Sequence, residues 1–350
     1  MKIALVAPPF IAVPPKKYGG TESFIATLAG GLKEKGVDVV LYANGASTAP
    51  VKTRWIFEKE DWPLRGDLET SLKGLNHSSW AVKEASREAD IIHLNSAPGL
   101  SHSRFVNTPI VYTVHHPFEP SLTEFYRVFP DVHYVTISDF QRRKLPLRRI
   151  RTIHHGIDID RTDVKSQKRS YLAFLGRIAP SKGTHLAVEI AQKADVPLKI
   201  GGEIQPIYKN YWETQVKPHV DGKFIEYVGE VGYEDKCDFL GGAVAMLFPI
   251  QWDEPFGLVQ IEAMACGTPV LALPGGSVEE IVKEGVSGCV RQTPDELAEC
   301  AKNLKLDPES VRSYVLQNFS VEHMVQEYIR LYSEIISERE RKADRERIVA

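Results

Sequence analysis

Trp252-Asp-Glu-Pro-Phe-Gly-Leu-Val-Gln-Ile-Glu-Ala-Met-Ala-Cys-Gly267, continued by Thr268-Pro-Val-Leu-Ala-Leu273, decides how the chain is read. The apolar run just before it, Ala243-Val-Ala-Met-Leu-Phe-Pro-Ile250, predicts a buried strand. The Pro-Phe-Gly turn then opens an apolar helix that Gly267 ends. Two carboxylates mark this helix. Glu254 stands just ahead of it, where N-terminal amides have no intrahelical partner. Glu262 lies among Leu258, Val259, Ile261, Met264 and Ala265, which predicts a carboxylate buried at a cost that some partner must offset. In a regular helix the step from Glu254 to Glu262, at ~1.5 Å rise per residue, spans roughly 12 Å. A diphosphate with the groups on either side of it has about that reach, and placed there it would face the positive end of the helix.

At 350 residues the chain has room for two domains of ordinary size. A hydrophobic share of 43% and a charged share of 25% are those of a soluble globular protein, and a net charge of -3 gives no reason to expect nucleic acid as a partner. Cys237, Cys266, Cys289 and Cys300 match no metal-ligand spacing, so they are expected as reduced core residues of a cytoplasmic protein. The opening run Lys2 to Ala7 is too short for a secretory leader, and no apolar run is long enough to span a bilayer.

Working outward, the N-terminal half alternates strands and helices. Lys2 to Ala7 predicts a buried strand, the loop Pro8 to Gly20 follows, and a helix from about Thr21 to Lys35 leads to the strand Val37 to Tyr42. Gly19-Gly20 opens that helix with exposed amides suited to an anion, but Gly-x-Gly-x-x-Gly is absent, which counts against a dinucleotide fingerprint. A helix over Glu69 to Arg87, strands at Asp90 to Asn95, Pro109 to Val114 and Val132 to Ile137, a helix capped by Ser138, and a strand at Ile150 to His154 complete six short strands of a doubly wound parallel sheet. Ligands of such sheets collect at the carboxyl ends of the strands. His115 and His116 sit at one such end, whereas His93 and His133 lie inside strands and read as packed residues. Arg142 to Arg151 holds six basic residues in ten positions. Its plain reading is a solvated helix end; its sharper reading is a contact surface for an anionic acceptor or, peripherally, the acidic inner face of a membrane.

The polar run Arg161 to Arg169 reads as a linker between two α/β blocks. Strand Tyr171 to Leu175 then leads into Gly176-Arg-Ile-Ala-Pro-Ser-Lys-Gly183, which projects Arg177 and Lys182 from a strand's carboxyl end. Arginine forks onto phosphate oxygens and lysine supplies a point charge, so the pair suits a diphosphate. Strands at Pro197 to Gly202 and Lys223 to Glu230 follow, then a helix at Tyr233 to Leu240. Beyond Leu273, Pro274-Gly-Gly-Ser277 opens a further helix, and amphipathic helices run over Pro294 to Lys305 and Pro308 to Gln317. A last helix after Ser320 carries Met324, Val325, Tyr328, Ile329, Tyr332 and Ile335 on one stripe.

Taken in order, Gly19-Gly20, His115, His155-Gly-Ile-Asp158, Gly176-Arg177 with Lys182-Gly183, and Glu254-Pro-Phe-Gly257 through Glu262 make the chain resemble the retaining glycosyltransferases of family 4, also called glycosyl transferases group 1. The resemblance covers essentially the whole chain. It implies the GT-B fold, two Rossmann-like doubly wound domains facing each other across a cleft. The expected domains are residues 1-160, joined by the C-terminal helix 325-350, and 161-324 on the donor side. It further implies that Arg177 and Lys182 bind the donor diphosphate, that Glu262 accepts from ribose hydroxyls, and that Glu254 contacts the transferred sugar. Phe256 would belong to the donor site, the Gly257 and Leu258 amides would support the phosphates, Gly19 and Gly20 would approach the diphosphate, and His115 would sit by the donor sugar and reaction centre. The implied reaction is metal-independent, cofactor-free, front-face transfer of a hexose from a nucleotide sugar, UDP-sugar ahead of GDP-sugar, to an acceptor that the sequence does not identify. The family often has Asn where His155 stands and a more glycine-rich turn where Gly201-Gly202-Glu203 stands. Two alternatives stay open: a nucleotide-sugar epimerase of the same architecture, which would lack Glu-x7-Glu, and a non-catalytic binding module, which would have lost Arg177, Lys182 or Glu254.

Overall fold

Parallel strands need both faces covered, and the chain meets that need twice. A computed structural model describes residues 1–350 except 17, 18, 65, 159–168 and 350. The chain divides into two compact units, Met1–Gly156 with Val321–Ala350, and Ile157–Ser320. Residues 161–168 of the expected linker lie outside the described residues. Arg169 at its end is no linker residue, because its guanidinium donates to the Ala243 carbonyl at 3.0 Å and the Cys266 carbonyl at 3.0 Å.

The first unit runs β1 (Lys2–Val6), α1 (Gly20–Glu34), β2 (Asp38–Tyr42), β3 (Lys52–Arg54), α2 (Leu68–Ala85), β4 (Ile91–Leu94), β5 (Ile110–Val114), α3 (Pro120–Arg127), β6 (His133–Thr136), α4 (Asp139–Lys144) and β7 (Ile150–Thr152). Its sheet is parallel, in the order β3-β2-β1-β4-β5-β6-β7. That makes seven strands where the sequence reading counts six. The missed one, β3, is Lys-Thr-Arg at the sheet edge, held by main-chain pairing to Val40–Tyr42, and so shows no apolar run. Ser138 caps α4 as expected, its hydroxyl accepting from the Gln141 amide at 3.1 Å. Among the described residues no helix is long and apolar enough to cross a membrane.

The second unit runs β8 (Tyr171–Leu175), α5 (Thr184–Ala194), β9 (Leu198–Gly201), α6 (Lys209–Tyr211), β10 (Ile225–Gly229), α7 (Tyr233–Gly241), β11 (Ala243–Phe248), α8 (Leu258–Ala265), β12 (Val270–Ala272), α9 (Val278–Ile281), β13 (Gly288–Val290), α10 (Pro294–Asn303) and α11 (Pro308–Asn318). Its parallel sheet has the order β10-β9-β8-β11-β12-β13, so β8 and β11 are neighbours at the centre although far apart in sequence. That adjacency brings the loop after Leu175 beside the loop after Phe248. The helix expected after Ser277 is a single turn, Val278–Ile281.

The last helix, α12 (Val321–Val349), packs into the first unit. Met324, Val325, Tyr328, Tyr332 and Ile335 of its stripe join one core with Leu5, Leu28 and Val111. Gly31 of α1 allows this: a Cβ there would come within 2.5 Å of a Val325 methyl. The stripe's two tyrosines also satisfy buried polar groups. The Tyr332 hydroxyl meets His93 Nδ1 at 2.7 Å, His93 Nε2 meets the Thr113 hydroxyl at 2.8 Å, and Thr113 meets the Tyr328 hydroxyl at 2.9 Å. Burial pushes the His93 imidazole down to about 3, so it is a neutral, packed residue. Removing one partner of a buried pair costs more than the bond returns. Tyr332→Phe is therefore expected to lower the stability of the first unit by about 1–2 kcal/mol in urea unfolding, and an unchanged midpoint would show that the His93 network does not hold α12.

Candidate active site

In the second unit the site grows from two loops at the carboxyl ends of β8 and β11. Gly183 closes the first loop. Its φ of 70° is left-handed, and a Cβ there would fall 1.9 Å from the Pro249 carbonyl oxygen, so only glycine lets the two loops touch. The Gln251 amide donating to the Ser181 carbonyl at 2.8 Å fastens them. Lys182 is thereby aimed at Glu254, and the two form an ion pair through Lys182 Nζ and Glu254 Oε2.

Trp252 completes the cluster. Its indole N–H donates to the same Glu254 Oε2 at 2.8 Å, while its ring lies 4.7 Å from the Lys182 ammonium. Glu254 is 7% exposed, and a carboxylate so placed stays charged at tolerable cost only with such partners. Among the described residues both hydrogen bonds to the Glu254 carboxylate fall on Oε2. Trp252 was quoted in the sequence but given no role; its one signal was an N–H donor two residues before a carboxylate. Arg177 lies on the same loop as Lys182, and its buried Nε has no hydrogen-bond acceptor among the described residues.

The Glu254–Gly257 turn is fixed from behind. The Ser277 amide donates to the Glu254 carbonyl at 2.9 Å, and Gly276 passes so close that a Cβ would lie 2.1 Å from that oxygen. Gly257 at φ 78° precedes α8, leaving the Gly257 and Leu258 amides at a helix N-terminus. Phe256 lies elsewhere: its ring is buried 6.0 Å from that of Phe319, and its carbonyl accepts from Gln260 Nε2 and the Ser277 hydroxyl. Its side chain is core.

Two expectations about α8 change. The helix begins only at Leu258, so the roughly 12 Å spacing based on a helix through Glu254 does not apply. Glu262 is not buried among the apolar residues. It faces outward with 20% of its side chain exposed and pairs with Lys236 of α7 at 2.7 Å. The wholly buried polar residue of α8 is Gln260. Of its apolar neighbours in sequence Ile261, Met264 and Ala265 are buried, whereas Leu258 and Val259 share the partly exposed face of Glu262, and Lys236 had no signal in the sequence to link it with Glu262.

The first unit gathers a second group of residues. His115 Nε2 lies 3.0 Å from Asn95 Oδ1, and Asn95 Nδ2 donates to the Val6 carbonyl at 3.2 Å. The Asn95 orientation makes its Oδ1 an acceptor, so His115 Nε2 carries the proton and Nδ1 is left to accept. Burial, with His155 and His116 nearby, holds the His115 imidazole well below its usual range, and it is neutral at pH 7. The ring stacks on His155 at 5.7 Å and meets Phe24 of α1 at 5.1 Å. Gly19 and Gly20 begin that same helix, with Gly19 at φ 146°. Much of the basic cluster has internal work: Arg142 pairs with Asp139, Arg149 with Glu338 and Arg151 with Glu334, and the Lys144 ammonium lies 4.4 Å from the Phe140 ring.

Beneath Gly19 sits Glu22, which the sequence reading passed over. A carboxylate in a first helical turn gains about 0.3–1 kcal/mol from the helix dipole, but Glu22 is 5% exposed and burial outweighs that gain, raising it to about 7. Between its ordinary value and about 7 the folded protein holds a proton that the unfolded chain has lost, so stability falls as pH rises through that window. The loss amounts to about 3 kcal/mol at pH 8. Glu22→Gln is expected to flatten the difference in unfolding free energy between pH 5 and pH 8; an unaltered difference would place the titration elsewhere.

Comparison with known proteins bears on the family and the fold. The model of glycosyl transferases group 1 matches residues 157–318, and that of glycosyltransferase family 4 matches residues 18–161. An uncharacterised glycosyltransferase of Methanocaldococcus jannaschii is 28% identical over 46% of this chain and 47% of its own length. The chain thus spans about half the length of several curated relatives it matches. With the phosphatidyl-myo-inositol mannosyltransferase of Mycobacterium leprae, at 26% identity, the match extends over 85% of each. HepE of Anabaena, solved with UDP and glucose, shares the fold with a TM-score of 0.76 at 18% identity, covering 95% of this chain and all of its own. The chain belongs to the family 4, or group 1, glycosyltransferases and has their GT-B fold.

Proposed function

We propose that this protein transfers a hexosyl group from a nucleoside diphosphate sugar, a UDP-sugar ahead of a GDP-sugar, to an acceptor with retention of configuration. The observation that carries the reading is the Trp252–Glu254–Lys182 cluster beside Arg177, at the ends of two adjacent parallel strands. Parallel sheets bind ligands at that end, and HepE, of the same fold, was solved with UDP-glucose.

The donor's diphosphate carries the charge that grows when the glycosidic bond breaks. Arg177 offers its fork and Lys182 the two N–H donors that Glu254 does not use, while the Gly257 and Leu258 amides add the positive end of α8. The leaving group is stabilised by the protein's own cations, and the reaction is proposed to proceed without a metal or cofactor. Glu254 Oε1 accepts from a hydroxyl of the transferred sugar, and Glu262 exchanges Lys236 for the ribose hydroxyls. Gly19 and Gly20 serve the diphosphate. His115, neutral and with Nδ1 unprotonated, accepts a hydroxyl and supplies no proton. Transfer runs on the front face, the departing phosphate taking the acceptor's proton. Lys182 already bound to Glu254 sets this reading apart from a glycosidase's paired carboxylates, since the second carboxylate, Glu262, is engaged by Lys236.

A panel of UDP-, GDP- and ADP-sugars scored by thermal shift and by acceptor-free hydrolysis tests the reading. UDP-sugars are expected to raise the melting temperature most and to turn over slowly, with EDTA present or absent. No response to any nucleotide sugar would overturn it. Glu262→Ala should weaken nucleotide affinity about tenfold, whereas Arg177→Ala should chiefly lower kcat, and equal small effects would refute the assigned roles. Trp252→Phe keeps the ring over Lys182 but loses the N–H to Glu254. It should leave affinity for UDP nearly unchanged while weakening the UDP-sugar about three- to tenfold; parallel losses for both ligands would mean that Trp252 serves only packing.

A further inference from the structure

Helices α7 and α8 are tied at two adjacent points. Lys236 of α7 pairs with Glu262 of α8 at 2.7 Å. One residue further along α7, and one turn further along α8, the sulfurs of Cys237 and Cys266 lie 3.4 Å apart, and neither is in a disulfide. A disulfide needs about 2.05 Å, so a shift of roughly 1.4 Å would bond them.

The two thiols differ in access and mobility. Cys237 is half-buried, while Cys266 is 1% exposed. Burial and the neighbouring Cys237 raise the Cys266 thiol, which keeps its proton until it reacts. Its backbone is also anchored. The Cys266 carbonyl accepts from Arg169 at 3.0 Å, the Ala265 carbonyl accepts from Arg312 at 2.6 Å, and Gly267 turns the chain away at φ 69°. Helix α7 is held at its C-terminal end, where the Tyr171 and Thr268 hydroxyls donate to the Phe239 and Leu240 carbonyls at 2.6 and 2.7 Å. It has no side-chain cap at its N-terminal end, near which Lys236 and Cys237 lie. A closing bond therefore draws α7 onto α8, and with it Lys236 onto Glu262.

We propose that Cys237 and Cys266 form a thiol–disulfide modification site whose co-reactant is a low-molecular-weight disulfide, and that closing it weakens nucleotide binding by holding Lys236 on Glu262. The second part rests on the ribose-binding role proposed for Glu262. In the first step the Cys237 thiolate attacks one sulfur of the small disulfide, breaks its S–S bond and releases a small thiolate, leaving a mixed disulfide. Cys266 then attacks the Cys237 sulfur, its proton passing to the second departing thiolate. Two protein thiols lose two electrons, and one small disulfide becomes two small thiols.

The test uses the full chain with Cys289→Ser and Cys300→Ser, which removes the other two thiols. Equilibrated with oxidised glutathione, this protein should become about 2 Da lighter with no lasting adduct. Digestion should give a Cys237–Cys266 cross-linked peptide. The Kd for the nucleotide that best stabilises the reduced protein should rise about tenfold and return with dithiothreitol. Adding Cys237→Ser should make binding indifferent to oxidant. A persistent glutathione adduct, or two unreacted thiols, would overturn the site. A cross-link with unchanged nucleotide Kd would overturn the coupling while leaving the donor reading intact. If the reduced protein binds no nucleotide, the donor reading and the coupling fall together, and the cross-link alone still decides the site.

Discussion

Lys182 and Glu254 form an ion pair that leaves 17% and 9% of their side chains exposed, and a charge held so far from water needs its partner in place. Neighbouring structure is arranged around that requirement. Gly183 lets the loop after β8 touch Pro249, Gly276 lets the turn after β12 back the Glu254 carbonyl, and Gly257 turns the chain into α8. At Gly183 and Gly276 a side chain would meet a backbone oxygen, and at all three the backbone is left-handed. Trp252 and Lys182 both engage the same Glu254 carboxylate oxygen, Oε2.

The first unit solves a different problem, that of burying imidazoles without charging them. His93 is fixed by Tyr332 and Thr113, and His115 by Asn95, so each ring is neutral and of defined orientation. Both depend on residues distant in sequence, and His93 depends on α12, which returns to this unit from beyond the second. A neutral, oriented ring beside a strand end can accept a hydrogen bond without competing for protons at neutral pH. Glu22 is shaped by burial too, which raises its carboxyl to about 7, so that protonated and ionised forms are both present near neutrality.

Much of the fold was legible because parallel strands announce themselves as continuous apolar runs and their crossovers as helices ending in glycine. The runs at Lys2, Ile110, Tyr171 and Ala243 all became strands. What escaped included β3, whose Lys-Thr-Arg is bound by backbone alone, the helix α3, the short strand β13, and the length of α9. At the site, Arg177, Lys182 and Glu254 could be listed from their places after strands, whereas their pairing could not. Lys182 and Glu254 are brought together by β8 and β11 becoming neighbours, a fact of sheet order that local pattern does not encode.

The amino-acid sequence by itself determined the fold class, the two blocks, the apolar stripe of α12 and the identity of the charged residues at the strand ends. It could do so because periodicity, turn residues and motif spacing are local quantities. Only the tertiary structure decided that Glu254 belongs to Lys182 and Trp252, that Glu262 faces outward to Lys236, that Phe256 is core, and that Cys237 meets Cys266. Each of these is a contact between elements. A helix that reads as apolar throughout still has a side that faces its neighbours and a side that faces water, and packing chooses which residue falls on which.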